Sequence, residues 1–106
     1  MEIEKRKKTQ SMIGLANKAG EIISGEDPVR FAIRKNNIKL LIITEDASDN
    51  TKKRFINAAT YYHIPYFIYL TKEELSVSLG GKIRSIAGIS DKEFAEYLTK
   101  LLCKDS

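Results

Sequence analysis

The sequence predicts an α/β fold, a three-layer α/β/α sandwich with its elements in the order α-β-α-β-α-β-α-β-α. Three observations carry this reading. Short β-branched runs alternate with longer segments of helical period, the pattern of a largely parallel sheet covered on both faces. One run, Leu40-Leu41-Ile42-Ile43-Thr44, is apolar at successive positions, as a strand buried between two helical layers must be. Directly after it, Glu45-Asp46-Ala47-Ser48-Asp49-Asn50 turns polar and rich in N-cap residues. A central strand that delivers polar residues to a helix start is the usual place for a site in an open α/β sheet. The chain of 106 residues suits one domain with one core.

The elements follow in order. Residues 4–19 form the first predicted helix, with Met12, Leu15, Ala16 and Ala19 as its apolar stripe and Gly20 as its stop. Glu21-Ile22-Ile23-Ser24 is a short strand. Gly25-Glu26-Asp27-Pro28 opens the second helix, with Asp27 in the N-cap position and Pro28 first inside. Val29, Ala32 and Ile33 are its buried positions, Arg30 and Arg34 share another face, and Asn36-Asn37 ends it. The third helix runs from about Asp49 to Tyr62 on Phe55, Ala58, Ala59 and Tyr62. His63-Ile64-Pro65 turns into the strand Tyr66-Phe67-Ile68-Tyr69-Leu70. Thr71-Lys72-Glu73-Glu74 has the capping-box form and starts a short fourth helix that ends near Leu79, before Gly80-Gly81. Residues 82–89 form the last strand, which follows so short a helix that an antiparallel course is open to it. Ser90-Asp91-Lys92-Glu93 repeats the capping-box pattern before a final helix carrying Phe94, Leu98, Leu101 and Leu102.

Composition narrows the function. Residues 1–54 hold 12 Lys/Arg against 8 Asp/Glu, whereas residues 55–106 hold 6 of each, so the whole net charge of +4 lies in the first half. A basic first half favours an anionic partner, nucleic acid above all, although a solvated charged surface accounts for the same excess. The one cysteine, Cys103, excludes an internal disulfide and reads as a half-buried packing residue. No secretory signal or membrane-length apolar run is visible, and the cytoplasm is the expected location.

No catalytic constellation emerges. His63 lies in a turn, and nothing pairs it or Cys103 with a base or nucleophile. Glu45 and Asp46 are adjacent carboxylates of the kind that loops usually leave solvated. The basic cluster Lys52-Lys53-Arg54 near the start of the third helix reads either as an anion site or as charge balanced by Glu45, Asp46 and Asp49. Neither an enzyme nor a cofactor is expected. Two segments are better suited to binding. The start of the second helix offers free N–H groups, with Arg30 and Arg34 behind. The Gly80-Gly81-Lys82-Ile83-Arg84 loop offers close backbone approach and an apolar residue to pack on a base. Each segment alone is ordinary turn chemistry. Together with the basic first half, they point to one surface.

Six segments in the right order carry a family resemblance. They are Gly14-Leu15-Ala16-Asn17-Lys18-Ala19-Gly20, Ser24-Gly25-Glu26-Asp27, Leu41-Ile42-Ile43-Thr44-Glu45-Asp46-Ala47-Ser48, Asn50-Thr51-Lys52-Lys53, Tyr62-His63-Ile64-Pro65-Tyr66 and Leu79-Gly80-Gly81-Lys82. The sequence resembles the kink-turn RNA-binding ribosomal proteins of the L-seven-Ae and L-thirty-e type, in particular their bacterial YlxQ-like branch. The resemblance implies a four-stranded mixed sheet and RNA binding through the start of the second helix and the loop after the fourth.

The family's motif at that helix, G-x-N-E-x-x-K, is altered here: Gly25 matches, Asp27 stands at the Asn, Pro28 at the Glu and Phe31 at the Lys. A carboxylate cannot donate the hydrogen bonds of an amide, so weakened discrimination of kink-turns is expected. The expected contacts to structured, ribosomal RNA are Lys18, Arg30, Arg34, Lys52, Lys82 and Arg84 on its backbone. Gly25, Glu26, Asp27, Gly80, Gly81 and Ile83 would fit against it. Ribosomal or RNA-processing proteins are further expected partners; DNA and membranes are not. The alternatives are a protein-interaction module of the same fold and a recognition domain of an RNA-modifying enzyme.

Overall fold

A computed structural model describes residues 2–103. The elements are α1 (Glu2–Lys18), β1 (Ile22–Ser24), α2 (Glu26–Arg34), β2 (Leu40–Ile43), α3 (Asp49–Tyr61), β3 (Tyr66–Ile68), α4 (Lys72–Ser78), β4 (Ile86–Ile89) and α5 (Lys92–Cys103), the alternation that the sequence predicts. The sheet order is β1-β4-β2-β3. β2 runs parallel to β3, with Leu41 opposite Tyr66 and Ile43 opposite Ile68. β4 is antiparallel to both of its neighbours, pairing Leu40 with Ile89 and Ile22 with Ile89 across its two edges. β1, β2 and β3 therefore point one way and β4 the other. The sheet is the four-stranded mixed one that the resemblance implies, and β4 takes the antiparallel course left open to it. The course of β4 is fixed by its antiparallel pairing with β1 on one edge and β2 on the other.

The alternation of side chains along β2 builds both cores. Leu40 and Ile42 join Ile13, Leu75, Leu79, Leu98 and Leu102 under α1, α4 and α5. Leu41 and Ile43 join Val29, Ile33, Phe55 and Ala59 under α2 and α3. All four β2 residues are buried, which is why the run is apolar on both parities.

Five local expectations are corrected. The buried line of α1 is Thr9, Ile13 and Ala16, while Leu15 is 55% exposed and Ala19 is exposed. Met12, Ile13, Leu15 and Ala16 allow two helical phases, and packing against α4 and α5 selects the one through Ile13. Thr9 tolerates burial because its hydroxyl donates to the Lys5 carbonyl at 2.8 Å.

The N-cap of α2 is Gly25, at φ 97° and ψ 152°, with no side-chain cap, so Pro28 is the third helical residue and not the first. Gly25 is fixed by the sheet: its N–H donates to the Ile86 carbonyl at 3.1 Å. That backbone region is open to little but glycine. The last strand begins at Ile86 and not at Lys82, because β2 ends at Ile43, the partner of Ile86, and nothing extends beyond it for residues 82–84 to pair with. At α5 there is no second capping box. Asp91 accepts from the Phe94 N–H at 2.9 Å, and the Ser90 hydroxyl turns instead to Glu21 at 2.6 Å. Cys103 is exposed, not half-buried.

Of the three adjacent N-cap candidates Ser48, Asp49 and Asn50, Ser48 caps α3, and the capping box of α4 forms as predicted. Ser48 Oγ accepts from the Thr51 N–H at 3.1 Å. Thr71 and Glu74 exchange both capping-box hydrogen bonds, at 2.9 and 3.1 Å.

Candidate nucleic-acid interface

Strand direction decides where the loops meet. The carboxyl ends of β1, β2 and β3 share one end of the sheet, and the amino end of antiparallel β4 lies there too. The turn from β1 into α2 therefore faces the loop before β4. Ser24, Gly25, Glu26, Asp27 and Pro28 on one side and Ile83, Arg84 and Ser85 on the other line an open cleft of about 470 Å³. The approach is close: a Cβ built on Gly25 would lie 3.5 Å from Pro28 Cδ and 3.6 Å from Arg84 Nε. The loop before β4 is shaped by Gly80 at φ 70° and Gly81 at φ 91°, and the Gly81 N–H ties back to the Ser76 carbonyl at 2.8 Å.

The structure distributes the predicted site residues among four places. Gly25, Glu26, Asp27, Ile83 and Arg84 meet in the cleft, with Gly80, Gly81 and Lys82 exposed on the loop that leads into it. Arg30 and Arg34 do not line the cleft. They turn instead toward α3 and form a groove with Arg54, Phe55, Ala58 and Tyr62 of α3 and its C-cap. Lys18 lies in a depression between α1 and α4 with Lys7, Leu15 and Val77, which shares no lining residue with the cleft. Lys52 is half-buried in the first turn of α3.

Glu26 does not offer its carboxylate to the cleft. It accepts from Arg54 Nη2 at 2.5 Å and from the Thr51 hydroxyl at 3.0 Å, and so joins the first turns of α2 and α3. The Arg54 hydrogen bond holds the Glu26 carboxyl below the usual carboxylate range, against the burial that would raise it. Asp27, by contrast, has a side chain that is 90% exposed, with Arg30 3.6 Å away.

The first turn of α2 thus carries two carboxylates and a proline without an N–H. That weakens the amide-based anion site expected at this helix start. Positive charge at the cleft comes instead from Lys82 and Arg84. Arg84 spends one donor on the Ile83 carbonyl at 3.0 Å and has no carboxylate partner among the described residues.

Sequence reasoning missed three features. Phe31, noted only as a replaced lysine, is 61% exposed on α2, with Lys35 Nζ 4.8 Å from its ring centre. The Glu26–Arg54 link spans 28 residues, a separation that no helical spacing signals. Arg6 gathers Glu2, Glu45 and Glu74 and lies 4.8 Å from the Tyr69 ring centre.

The Arg6 cluster also corrects the reading of the acidic pair. Glu45 bonds Arg6 at 2.6 Å and Asp46 accepts from the Lys72 N–H at 2.9 Å. Neither balances the Lys52-Lys53-Arg54 cluster, where Glu26 takes that part. Burial of Arg6 opposes its charge, yet Glu45 and Glu74 hold it more firmly protonated. Among the described residues, no group of three or more His, Cys, Asp or Glu is placed to hold a metal ion, and no helix is long and apolar enough to cross a membrane.

Comparison with known proteins places this geometry in context. The chain is 40% identical over 91 residues to the RNA-binding protein YlxQ of Bacillus subtilis (strain 168), covering 86% of this chain and 91% of that protein. It is 36% identical over 97 residues to the RNA-binding protein YlxQ of Enterococcus faecium, covering 92% and 93%. The solved structure of a protein with unknown function from Bacillus halodurans C superposes with a TM-score of 0.87 at 29% identity, covering 90% of this chain and 96% of that one. The profile of one family matches residues 7–103, nearly the whole described chain. The chain belongs to the ribosomal protein L7Ae/L30e/S12e/Gadd45 family.

Proposed function

We propose that this protein is a non-enzymatic, single-domain RNA-binding protein that holds structured RNA of ribosomal origin in the cytoplasm. Its contact surface is the cleft between the start of α2 and the loop before β4. The observation that carries this reading is the cleft itself: two segments some 57 residues apart, the number separating Gly25 from Lys82, meet at one end of the sheet. Gly25 lets the backbone approach closely, Ile83 is exposed to pack on an unstacked base, and Lys82 and Arg84 supply phosphate contacts. The names of the two YlxQ relatives and the family membership support RNA as the anion.

Kink-turns are bound with relaxed selectivity. Asp27 accepts and cannot donate, and Pro28 and Phe31 carry no polar group to read sheared G·A pairs.

The test is a titration of a kink-turn RNA at increasing salt. The log of the affinity should fall linearly with the log of salt, and Arg84→Ala should lower the slope by about one. Lys82→Ala should weaken binding similarly, with unchanged thermal melting, because Lys82 is exposed. A salt-independent affinity, or full affinity in both variants, would exclude the cleft as the RNA surface.

A further inference from the structure

We infer that the groove between α2 and α3 is a second nucleotide site, in which guanidinium groups take a phosphate while an unstacked base lies on an apolar and aromatic floor. This inference rests on the RNA-binding reading and extends it to a surface that the cleft does not include.

Two helices build the groove. Arg30 and Arg34 are four residues apart on α2, so both side chains project from one face toward α3. Arg54, in the second turn of α3, closes the same groove from the other side. Between them lie Ile33, Phe55, Ala58 and Tyr62. Three guanidinium groups thus surround an apolar floor. Guanidinium is weakly hydrated, binds phosphate through paired donors and stacks on flat rings.

The positive charge is not evenly neutralised. Arg54 is held by Glu26 and Arg30 stands 3.6 Å from Asp27, both at the first turn of α2. Arg34, a turn further along, is exposed and has no carboxylate partner among the described residues. The Arg34 end of the groove therefore carries the unbalanced charge and is the place for a phosphate. Tyr62 forms the aromatic part of the floor, its ring braced edge-on by Tyr61 at 4.9 Å and 76°. An aromatic ring held in this way suits a base, since base–aromatic stacking is tolerant of sequence.

Size points to one unit of a polymer. The groove holds about 260 Å³, less than the roughly 300–1,000 Å³ of sites that enclose whole small molecules. Position points to the same strand that the cleft would hold. Glu26 lines the cleft and its carboxylate grips Arg54 in the groove, so the two sites adjoin across the first turn of α2. An acidic peptide would satisfy the arginines but would leave Tyr62 and Ala58 without a flat partner. A nucleotide uses both halves.

The experiment uses the full chain and adenosine 5′-monophosphate, followed by amide and arginine Nε resonances. Shifts at Arg34, Ala58 and Tyr62 are expected, lost in Arg34→Ala. Inorganic phosphate alone should move Arg34 but not Ala58. Titration of a structured RNA runs in parallel, with Arg34→Ala lowering the salt slope by about one while Arg84→Ala lowers it independently. Shifts absent from Ala58 and Tyr62 overturn the groove site, as do shifts that survive Arg34→Ala. Tighter binding of a hexaglutamate peptide than of the nucleotide overturns it in favour of a protein ligand. RNA binding with a slope unchanged by Arg34→Ala removes the groove and leaves the cleft standing. Failure of the unmodified chain to bind RNA at low salt removes the RNA-binding reading, and the groove with it.

Discussion

Replacing Glu26 with glutamine keeps the side-chain shape but removes the charge that joins α2 to α3. The structure sets the size of the effect. The Arg54–Glu26 contact is 2.5 Å, with side chains 40% and 37% exposed. Hydrogen bonds to charged groups contribute about 1.5–3 kcal/mol when shielded from water, and exposed ion pairs about 0.2–1 kcal/mol. Partial exposure places this pair near 1 kcal/mol. The Thr51 hydroxyl, 3.0 Å from the other carboxylate oxygen, can still donate to the glutamine carbonyl. Glu26→Gln should therefore cost about 1 kcal/mol, and Glu26→Ala about 1–2 kcal/mol because the Thr51 hydrogen bond goes as well. For a domain of this size, 1 kcal/mol corresponds to roughly 4–8 °C in Tm.

The assay is urea unfolding of a double-mutant cycle with Arg54→Gln, which isolates the pair. Its pH dependence has a definite sign. The Glu26 carboxyl is held below its ordinary 4.5 in the folded state, chiefly by Arg54. Its contribution is therefore complete above the unfolded value and is lost as pH falls through the folded one. The coupling should be full at neutral pH and vanish in acid. A coupling near zero at neutral pH, or one that persists in acid, would refute the argument.

Three further outcomes are expected. Arg6→Ala strips Glu45 and Glu74 of their shared partner and should destabilise by about 1–3 kcal/mol; a thermal melt within experimental error of the parent would contradict this. Gly88→Ala places a Cβ 2.5 Å from Ile38 Cδ1 in a buried strand and should cost about 1–3 kcal/mol. Adding Ile38→Val should restore part of that loss in denaturant midpoints. Restoring the family motif with Asp27→Asn, Pro28→Glu and Phe31→Lys should sharpen preference for a kink-turn over a G·A-disrupted variant in gel-shift competition, and strong preference in the unmodified chain would defeat the reasoning.

Features written in neighbouring residues were legible. The unbroken apolar run from Leu40 to Ile43 announced a strand covered on both faces, and it is buried throughout. The Thr71/Glu74 capping box acts over three residues, so the sequence determined that helix start outright, and it narrowed the start of α3 to three neighbours of which Ser48 is the cap. The Gly80-Gly81 break and the nine-element order were equally local.

What tertiary structure decided was direction, phase and partner. The sequence left the course of β4 open, and everything at the cleft turns on it. Antiparallel pairing with β2 brings the loop before β4 to the end where β1 delivers Gly25, whereas a parallel β4 would carry that loop to the far end of the sheet. The α1 stripe had two phases, and only the packing of Ile13 under α4 and α5 chose between them. Arg30 and Arg34 were visible as a pair, but which side of α2 they flank depended on where α3 docks. Glu26 looked free for a ligand until Arg54, 28 residues away, claimed it. Caps and turns depend on atoms a few bonds apart, so the sequence alone determines them. Strand direction, helix phase and long-range ion pairs depend on which surfaces bury each other, and that is settled only when the whole chain folds.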